Sequence, residues 1–358
     1  MARLVAVALL LQLVALSASA QDHTASAQDH TMEPKTASRL TIHFFADVVG
    51  QKTWGSIAAP STFNLGVLDL FVHAQPAPEF YLLAEVGYEP TVQDYTLDVE
   101  RMEAGWSPRS WFQATIGRYH TPLGYWNTAF HHGKWLLTTI ENPLLFKFED
   151  ENGPLPVHTI GLLVYGQIGL GQSLSLLYHL GVGNGRGATP DPPQKLMDIH
   201  EGKSFLSGLH FLAGGFRIGG SFYLDKTTPE ATPGVQMSEQ IFVADISYTT
   251  SPWEVLAEGA SIRHSYAEAT GDRVVNNYGG YVQLSYQVVE RVRPYARAEV
   301  QRIGADDPFF SKIPDQARQL GGIRFDVIDA LAVKLEGGNV RIQGSNGPFV
   351  RFQVAFVY

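Results

Sequence analysis

The segment Val292-Arg293-Pro294-Tyr295-Ala296-Arg297-Ala298-Glu299-Val300-Gln301 alternates without a break. Val292, Pro294, Ala296, Ala298 and Val300 fall on one side of an extended chain, and Arg293, Tyr295, Arg297, Glu299 and Gln301 on the other. This period of two marks a strand with one apolar and one polar face. The pattern recurs at Phe80, Leu82, Ala84 and Val86 against Tyr81, Leu83, Glu85 and Gly87. It recurs again at Phe216, Ile218, Phe222 and Leu224 against Arg217, Ser221, Tyr223 and Asp225.

Extending the same reading along the 358 residues places strands near 39–49, 61–73, 79–88, 94–106, 111–119, 158–168, 173–182, 204–213, 216–225, 239–248, 253–264, 277–286, 292–302, 317–327, 331–342 and 348–358. Every second connection is short: 74–78, 107–110, 169–172, 214–215, 249–252, 287–291 and 328–330. Those between are mostly longer and more polar, among them 182–203, 226–238, 264–276 and 303–316. A soluble sandwich also alternates, but it has no reason to keep short turns on one side and long loops on the other. The expected fold is therefore all-β, a transmembrane antiparallel β-barrel of about 16 strands over residues 39–358. Alternation is expected to change phase at Gly337-Gly338 and around Arg118, where faces slip by one residue.

Composition agrees with dispersed apolar residues. They make up 45% of the chain, yet mean hydropathy is −0.05, and no run of about 18 apolar residues suggests a spanning helix. Gly at 35, Tyr at 15 and Phe at 20 suit turns, strands and aromatic girdles. A net charge of −9 argues against a nucleic-acid partner. With no cysteine, disulfides, thiolate metal sites and a cysteine nucleophile are all excluded.

The two ends carry addresses. Arg3, the apolar run 4–16 and Ala18-Ser19-Ala20 read as a signal peptide over residues 1–20. Ala18-Ser19-Ala20-Gln21-Asp22-His23-Thr24 is repeated as Ala25-Ser26-Ala27-Gln28-Asp29-His30-Thr31, which offers an alternative cleavage after 27. Residues 21–38 read as a disordered leader. At the other end Phe352, Val354, Phe356 and Tyr358 alternate to the last residue. This terminal pattern resembles the sorting signal read by the barrel-assembly machinery of Gram-negative outer membranes.

The longest connection, 120–157, is the third long loop, and a loop of that size in a compact domain is usually functional. It is rich in Tyr125, Trp126, Phe130, Trp135, Phe146 and Phe148, with Lys134, Lys147, Glu149, Asp150 and Glu151 among them. Such a segment packs against a barrel wall, and its charges set a constriction field. The run Gly117-Arg118-Tyr119-His120-Thr121-Pro122-Leu123-Gly124-Tyr125-Trp126-Asn127, followed by Phe130-His131-His132-Gly133, resembles the entry to the third loop in the phosphate-selective porin O/P family. That resemblance implies a sixteen-stranded trimeric channel for small anions, with the third extracellular loop folded into the lumen and arginines and lysines lining it.

The polar faces themselves carry both signs. Glu85, Asp98, Glu100, Asp225, Asp245, Glu254, Glu258, Glu299, Asp326 and Glu336 stand against Arg217, Arg293, Arg297, Arg318, Arg324, Lys334 and Arg351. Interspersed signs give weak ion discrimination, whereas rings of one sign give strong selectivity. Candidate pore-lining or constriction residues are Arg118, Lys134, Lys147, Glu149, Asp150, Glu85, Arg297, Glu299 and Arg324.

Enzyme signatures are missing: there is no Gly-x-Ser-x-Gly elbow and no His-Glu-x-x-His helix. The glycine-rich run 181–187 reads as an outer loop, because no lysine-hydroxyl pair or helix follows it. His131-His132 point in opposite directions on an extended chain, and Glu149-Asp150-Glu151-Asn152 lacks the spacing of a calcium loop. Neither a metal nor a cofactor is expected. Passive diffusion of small hydrophilic solutes, anions such as phosphate included, is the favoured reading. A more selective sugar or organic-acid channel would use an aromatic track such as Tyr81, Tyr223, Tyr281 and Tyr295. A plugged structural or adhesive barrel is the third reading. Expected partners are membrane lipid, small solutes, the assembly machinery and two further copies of the chain.

Overall fold

The computed structural model describes residues 39–90, 94–130, 133–148, 151–190 and 202–358. The expected signal peptide 1–20, its alternative cleavage after 27 and the leader 21–38 lie outside these residues, as do His131, His132, Glu149 and Asp150.

Every strand pairs antiparallel with its neighbours in one closed sheet. The strands are β1 Arg39–Thr53, β2 in two segments Ala59–Leu65 and Leu68–Ala77, β3 Phe80–Pro90, β4 Tyr95–Arg109 and β5 Phe112–His120. They continue as β6 His158–Gly169, β7 Leu174–Asn184, β8 Lys203–Ala213, β9 Phe216–Thr227, β10 Met237–Tyr248 and β11 Trp253–Tyr266. The last five are β12 Arg273–Tyr286, β13 Val292–Arg302, β14 Gln316–Ile328, β15 Leu331–Ile342 and β16 Ser345–Val357. Both segments of β2 pair with β1, so the seventeen paired segments are sixteen strands. Closure is made by β1 on β16, from Phe45 opposite Val357 to Thr53 opposite Phe349. The break in β2 falls at Gly66, whose N–H donates to the Asp47 carbonyl at 2.8 Å.

Short turns at one end alternate with mostly longer connections at the other, as the spacing predicts, although the link of β15 to β16 at that second end is only Gln343-Gly344. Gly214-Gly215, at φ of +55° and +85°, makes the two-residue turn of β8 and β9. At the short-turn end, Phe216 meets Tyr248 and Trp253 meets Tyr286, each pair at 4.5 Å between centroids. Phe80 stacks on Trp106 at 6.3 Å. These rings form an outward aromatic girdle. Apolar side chains such as Leu209, Ile218, Phe242, Val282 and Phe352 are exposed on the outer face. Charged side chains, among them Glu85, Asp98, Glu258, Arg297, Glu299 and Lys334, are buried on the inner one. Among the described residues no helix is long and apolar enough to cross a membrane.

Two local expectations need correction, and a bulge adds a third departure from plain alternation. Residues 181–184 belong to β7 and are not loop; Gly181 lies under Leu206 and Gly183 under Thr159, where larger residues would collide. Pairing of β14 with β15 runs in register through Gly337 and Gly338, and the shift comes between Asp326 and Ile328. A bulge places two residues of β4, Glu100 and Arg101, where Glu85 of β3 has room for one. Arg101 thereby joins Asp98 and Glu100 in the buried set. Around Arg118 the phase does break: Gly117 has φ +133°, and Arg118, Tyr119 and His120 are buried in succession.

Candidate functional site

Among its described residues the third loop, 121–157, holds one helical turn, α1 Trp126–Ala129, and a 3-10 turn, Leu144–Phe146. With so little regular structure, its backbone N–H and C=O groups must find partners elsewhere. The polar faces of β11 to β16 supply them. Entry is set by Gly124 at φ +77°. Glu258 of β11 then accepts the N–H groups of Tyr125 at 2.6 Å and Trp126 at 2.8 Å, and the Tyr281 hydroxyl at 2.6 Å. Further along, Thr138 donates to Glu254 at 3.1 Å.

Cations of the wall take the loop carbonyls. Lys334 Nζ donates to the carbonyls of Lys134 at 2.6 Å and Thr139 at 2.9 Å. Arg324 reaches those of Trp135 at 2.6 Å and Leu137 at 2.9 Å, with its guanidinium 5.3 Å from the Trp135 ring centroid. Arg297 donates to the Glu141 carbonyl at 2.9 Å, and Arg318 to that of Asn142 at 2.8 Å. In the reverse sense, Leu144 N–H donates to Glu299 at 2.6 Å.

Glu141 is the loop's own charge in this network. Arg318 and Arg351 both bind its carboxylate, Arg351 at 2.9 Å. Burial pushes the carboxyl upward, but Arg351, Arg318 and Lys147 outweigh it and hold the group well below the usual carboxylate range.

Apolar packing works alongside. Leu123, Trp126, Leu137, Leu145 and Phe146 of the loop form one buried cluster with inward Leu206, Ile241, Val243, Leu256 and Ile262.

The candidates among the described residues divide between two walls of the barrel, and Glu149 and Asp150 lie outside the described residues. Arg297, Glu299 and Arg324 meet the third loop; Arg297 and Glu299 also pair at 3.3 Å, and Arg324 pairs with Asp326 at 2.8 Å. Lys134 and Lys147 are half-buried in the loop, with Lys134 Nζ 5.8 Å from the Phe148 ring centroid. Glu85, paired with Arg101, and Arg118, whose Nε donates to the Glu100 carbonyl at 3.0 Å, lie across the barrel on β3 to β5. These last two are therefore not brought to the loop-bearing wall. Tyr223, Tyr281 and Tyr295 are buried, and the hydroxyls of Tyr281 and Tyr295 are spent on Glu258 and Glu336.

Sequence reasoning missed Glu141, Arg101, Arg186 and His264. Their signals are weak: a loop has no period, a bulge reverses one, and isolated charges near strand ends have no face to read.

Glu89, Asp98 and Glu100 bring ligand oxygens within 4.8 Å of one another. His158 Nε2 lies 3.2 Å from Glu100. Oxygen donors of this kind suit a hard divalent cation; His158 beside Glu100 is a further neighbour of the group.

No family model matches the chain, and no curated protein matches its sequence. Solved structures do match its shape. The anion-selective porin from Comamonas acidovorans superposes with a TM-score of 0.65 at 11% identity, covering 90% of this chain and 100% of that one. OmpF of Salmonella typhi, in complex with daunomycin, gives 0.60 at 13% identity, covering 89% and 97%. The trimer form of OmpT, an outer-membrane protein of Vibrio cholerae, gives 0.59 at 13% identity, covering 90% and 100%. At such identities the likeness is one of fold, and the fold is the sixteen-stranded barrel of outer-membrane porins.

Proposed function

We propose that this chain is an outer-membrane porin through which small hydrophilic solutes, small anions such as phosphate among them, diffuse passively. The observation that carries the reading is a closed barrel with an apolar exposed outer face and a charged inner one. In this reading residues 1–20 direct export and the assembly machinery inserts the barrel. The chain then works as a trimer without cofactor or covalent step. The trimer form of the Vibrio cholerae neighbour supports that assembly for a barrel of this shape.

The third loop folds into the lumen and narrows it, a placement supported by its bonds to inward residues of β11 to β16. Lys134 and Lys147, the half-buried cations of that loop, meet the passing solute. Arg297, Glu299 and Arg324 hold the loop in place. Because wall charges of both signs are paired, discrimination between ions is weak. The resemblance of residues 117–133 to the phosphate-selective porin O/P family supports the anion part of this reading. A closed structural barrel is favoured only by the apolar packing of the third loop.

The test is single-channel recording of the refolded protein in a planar bilayer under a salt gradient. Stepwise currents with a permeability ratio within about threefold of unity are expected. Added phosphate should reduce the current more than a neutral sugar does. Folded protein that passes no current would move the assignment to the plugged barrel, and strong cation selectivity would remove the anion component.

A further inference from the structure

Loop 7, residues 303–315 between β13 and β14, meets the wall at several polar bonds, and one of them is made by a histidine. His264, on the inner face of β11, has a fully enclosed side chain. Its Nδ1 lies 2.7 Å from Asp307 Oδ2 in loop 7, and its Nε2 lies 3.0 Å from Glu239 Oε1 on β10. Both partners are carboxylates, which accept and do not donate when ionised. Both ring nitrogens must therefore carry protons, and the ring is an imidazolium.

The groups around it extend the bond across three loops. Arg186, at the root of the fourth loop, which joins β7 to β8, pairs with Glu239 at 3.1 Å and donates to the Pro154 carbonyl of the third loop at 2.8 Å. Its backbone N–H donates to Asp225 of β9. Its guanidinium lies over the rings of Phe309 and Phe310 of loop 7, which also close on His264 edgewise at 5.5 and 4.6 Å. Asp307 further accepts from Tyr266 at 2.6 Å and from Asn277 at 2.7 Å. Arg273 of β12 sits 4.8 Å from the Tyr266 centroid and is paired with Glu268. Immediately at the ring, two carboxylates balance one imidazolium and one guanidinium. Loss of the imidazolium proton turns one ring lone pair toward a carboxylate oxygen in a buried place, which is unfavourable on both counts.

We infer that His264 is a proton-operated latch that fastens loop 7 to the roots of the third and fourth loops and releases it in alkaline solution, opening the loop-bearing end of the barrel. The effect on transport rests on the porin reading, whereas the latch itself does not. Asp307 stays an acceptor throughout, because bonds from His264, Tyr266 and Asn277 overcome the upward push of burial and hold its carboxyl at about 2.

A single thiol reads the latch, since the chain has no cysteine of its own. Ile313 of loop 7 is buried and Lys312 beside it is exposed. Maleimide labelling of Ile313→Cys, taken relative to Lys312→Cys in the refolded full chain, is expected to rise about tenfold between about pH 6 and pH 10. In a His264→Gln background labelling should be high and flat. Tyr266→Phe should keep the step, which separates imidazole from phenol. Amide exchange of residues 303–315, referred to the chemical rate at each pH, reads the same step should Ile313→Cys fail to fold. A ratio flat with pH in the His264 protein, or an unchanged step in His264→Gln, overturns the latch. Parallel recordings distinguish the two readings: a labelling step without current at any pH removes the porin and leaves the latch standing.

Discussion

Glu299 gathers three donors on one enclosed carboxylate: the Leu144 N–H at 2.6 Å, Arg297 Nε at 3.3 Å and Arg318 Nε. Removing the carboxylate from such a buried network leaves the Leu144 amide without its acceptor and two guanidiniums without their shared counter-charge, which costs about 3–5 kcal/mol. Glu299→Ala is therefore expected to undock the third loop and expose Lys134 and Lys147 to trypsin in the folded barrel. Glu299→Gln keeps an acceptor for Leu144 and should be cleaved more slowly. Wild-type resistance in Glu299→Ala would show that the apolar cluster alone holds the loop. Arg297 and Glu299 were legible in the sequence because they sit two apart on a strand with unbroken alternation. Glu141, which completes the same network, was not legible, because a loop side chain has no face until the wall gives it one.

At the scale of elements, strands and loops differ in what fixes them. A strand is specified by its own period of two and by the turn that follows, and both are local. The sixteen strands are accordingly readable from the sequence to within a few residues at each end. The course of the third loop is set by contacts such as Tyr125 with Glu258 and Lys334 with Thr139, between residues far apart in the chain. No short-range pattern encodes them. The bulge at Arg101 is an intermediate case: one extra residue reverses the alternation, and the reversal shows only once β3 is laid beside β4. The hinge of the loop is Gly124. Its φ of +77° disfavours a branched side chain, and an added Cβ would stand 2.1 Å from Glu258 Oε2. Gly124→Val should cost the docked loop about 1–3 kcal/mol in backbone strain, with the collision in addition. Amide exchange is expected to quicken over residues 121–130 while the strands stay protected. Gly171→Ala, where an added Cβ meets nothing within 4 Å, is the control and should change nothing. Equal exchange in the two variants would locate the hinge elsewhere.

For the whole molecule, closure and loop docking depend on different chemistry, and acid separates them. The seam of β1 on β16 is chiefly a backbone ladder from Phe45 to Thr53, with one buried side-chain bond beside it, from the Gln353 amide to Asp47 at 2.8 Å, which a carboxyl accepts in either protonation state. The loops are held in part by carboxylates with depressed folded values, Glu141 well below the usual range and Asp307 at about 2. A depressed carboxyl contributes stability that is fully present above its unfolded value near 4 and is lost as pH falls through the folded one. Both loops should therefore remain docked at about pH 4.5, where a carboxyl with no cationic partner has begun to protonate, and should loosen only below about pH 3. The expected sequence on acidification is a constant channel current and constant loop exchange down to that point. Both then change together, while circular dichroism of the strands is still intact. Arg351→Gln removes the largest of the influences holding Glu141 down and should move the onset for the third loop toward higher pH, leaving loop 7 where it was. Loosening of wild-type loops near pH 5 would mean that Glu141 and Asp307 titrate as ordinary carboxyls and that the ion pairs drawn around them do not persist in solution. Simultaneous loss of strands and loops would mean that the barrel depends on its contents for closure, which a seam of backbone bonds does not require.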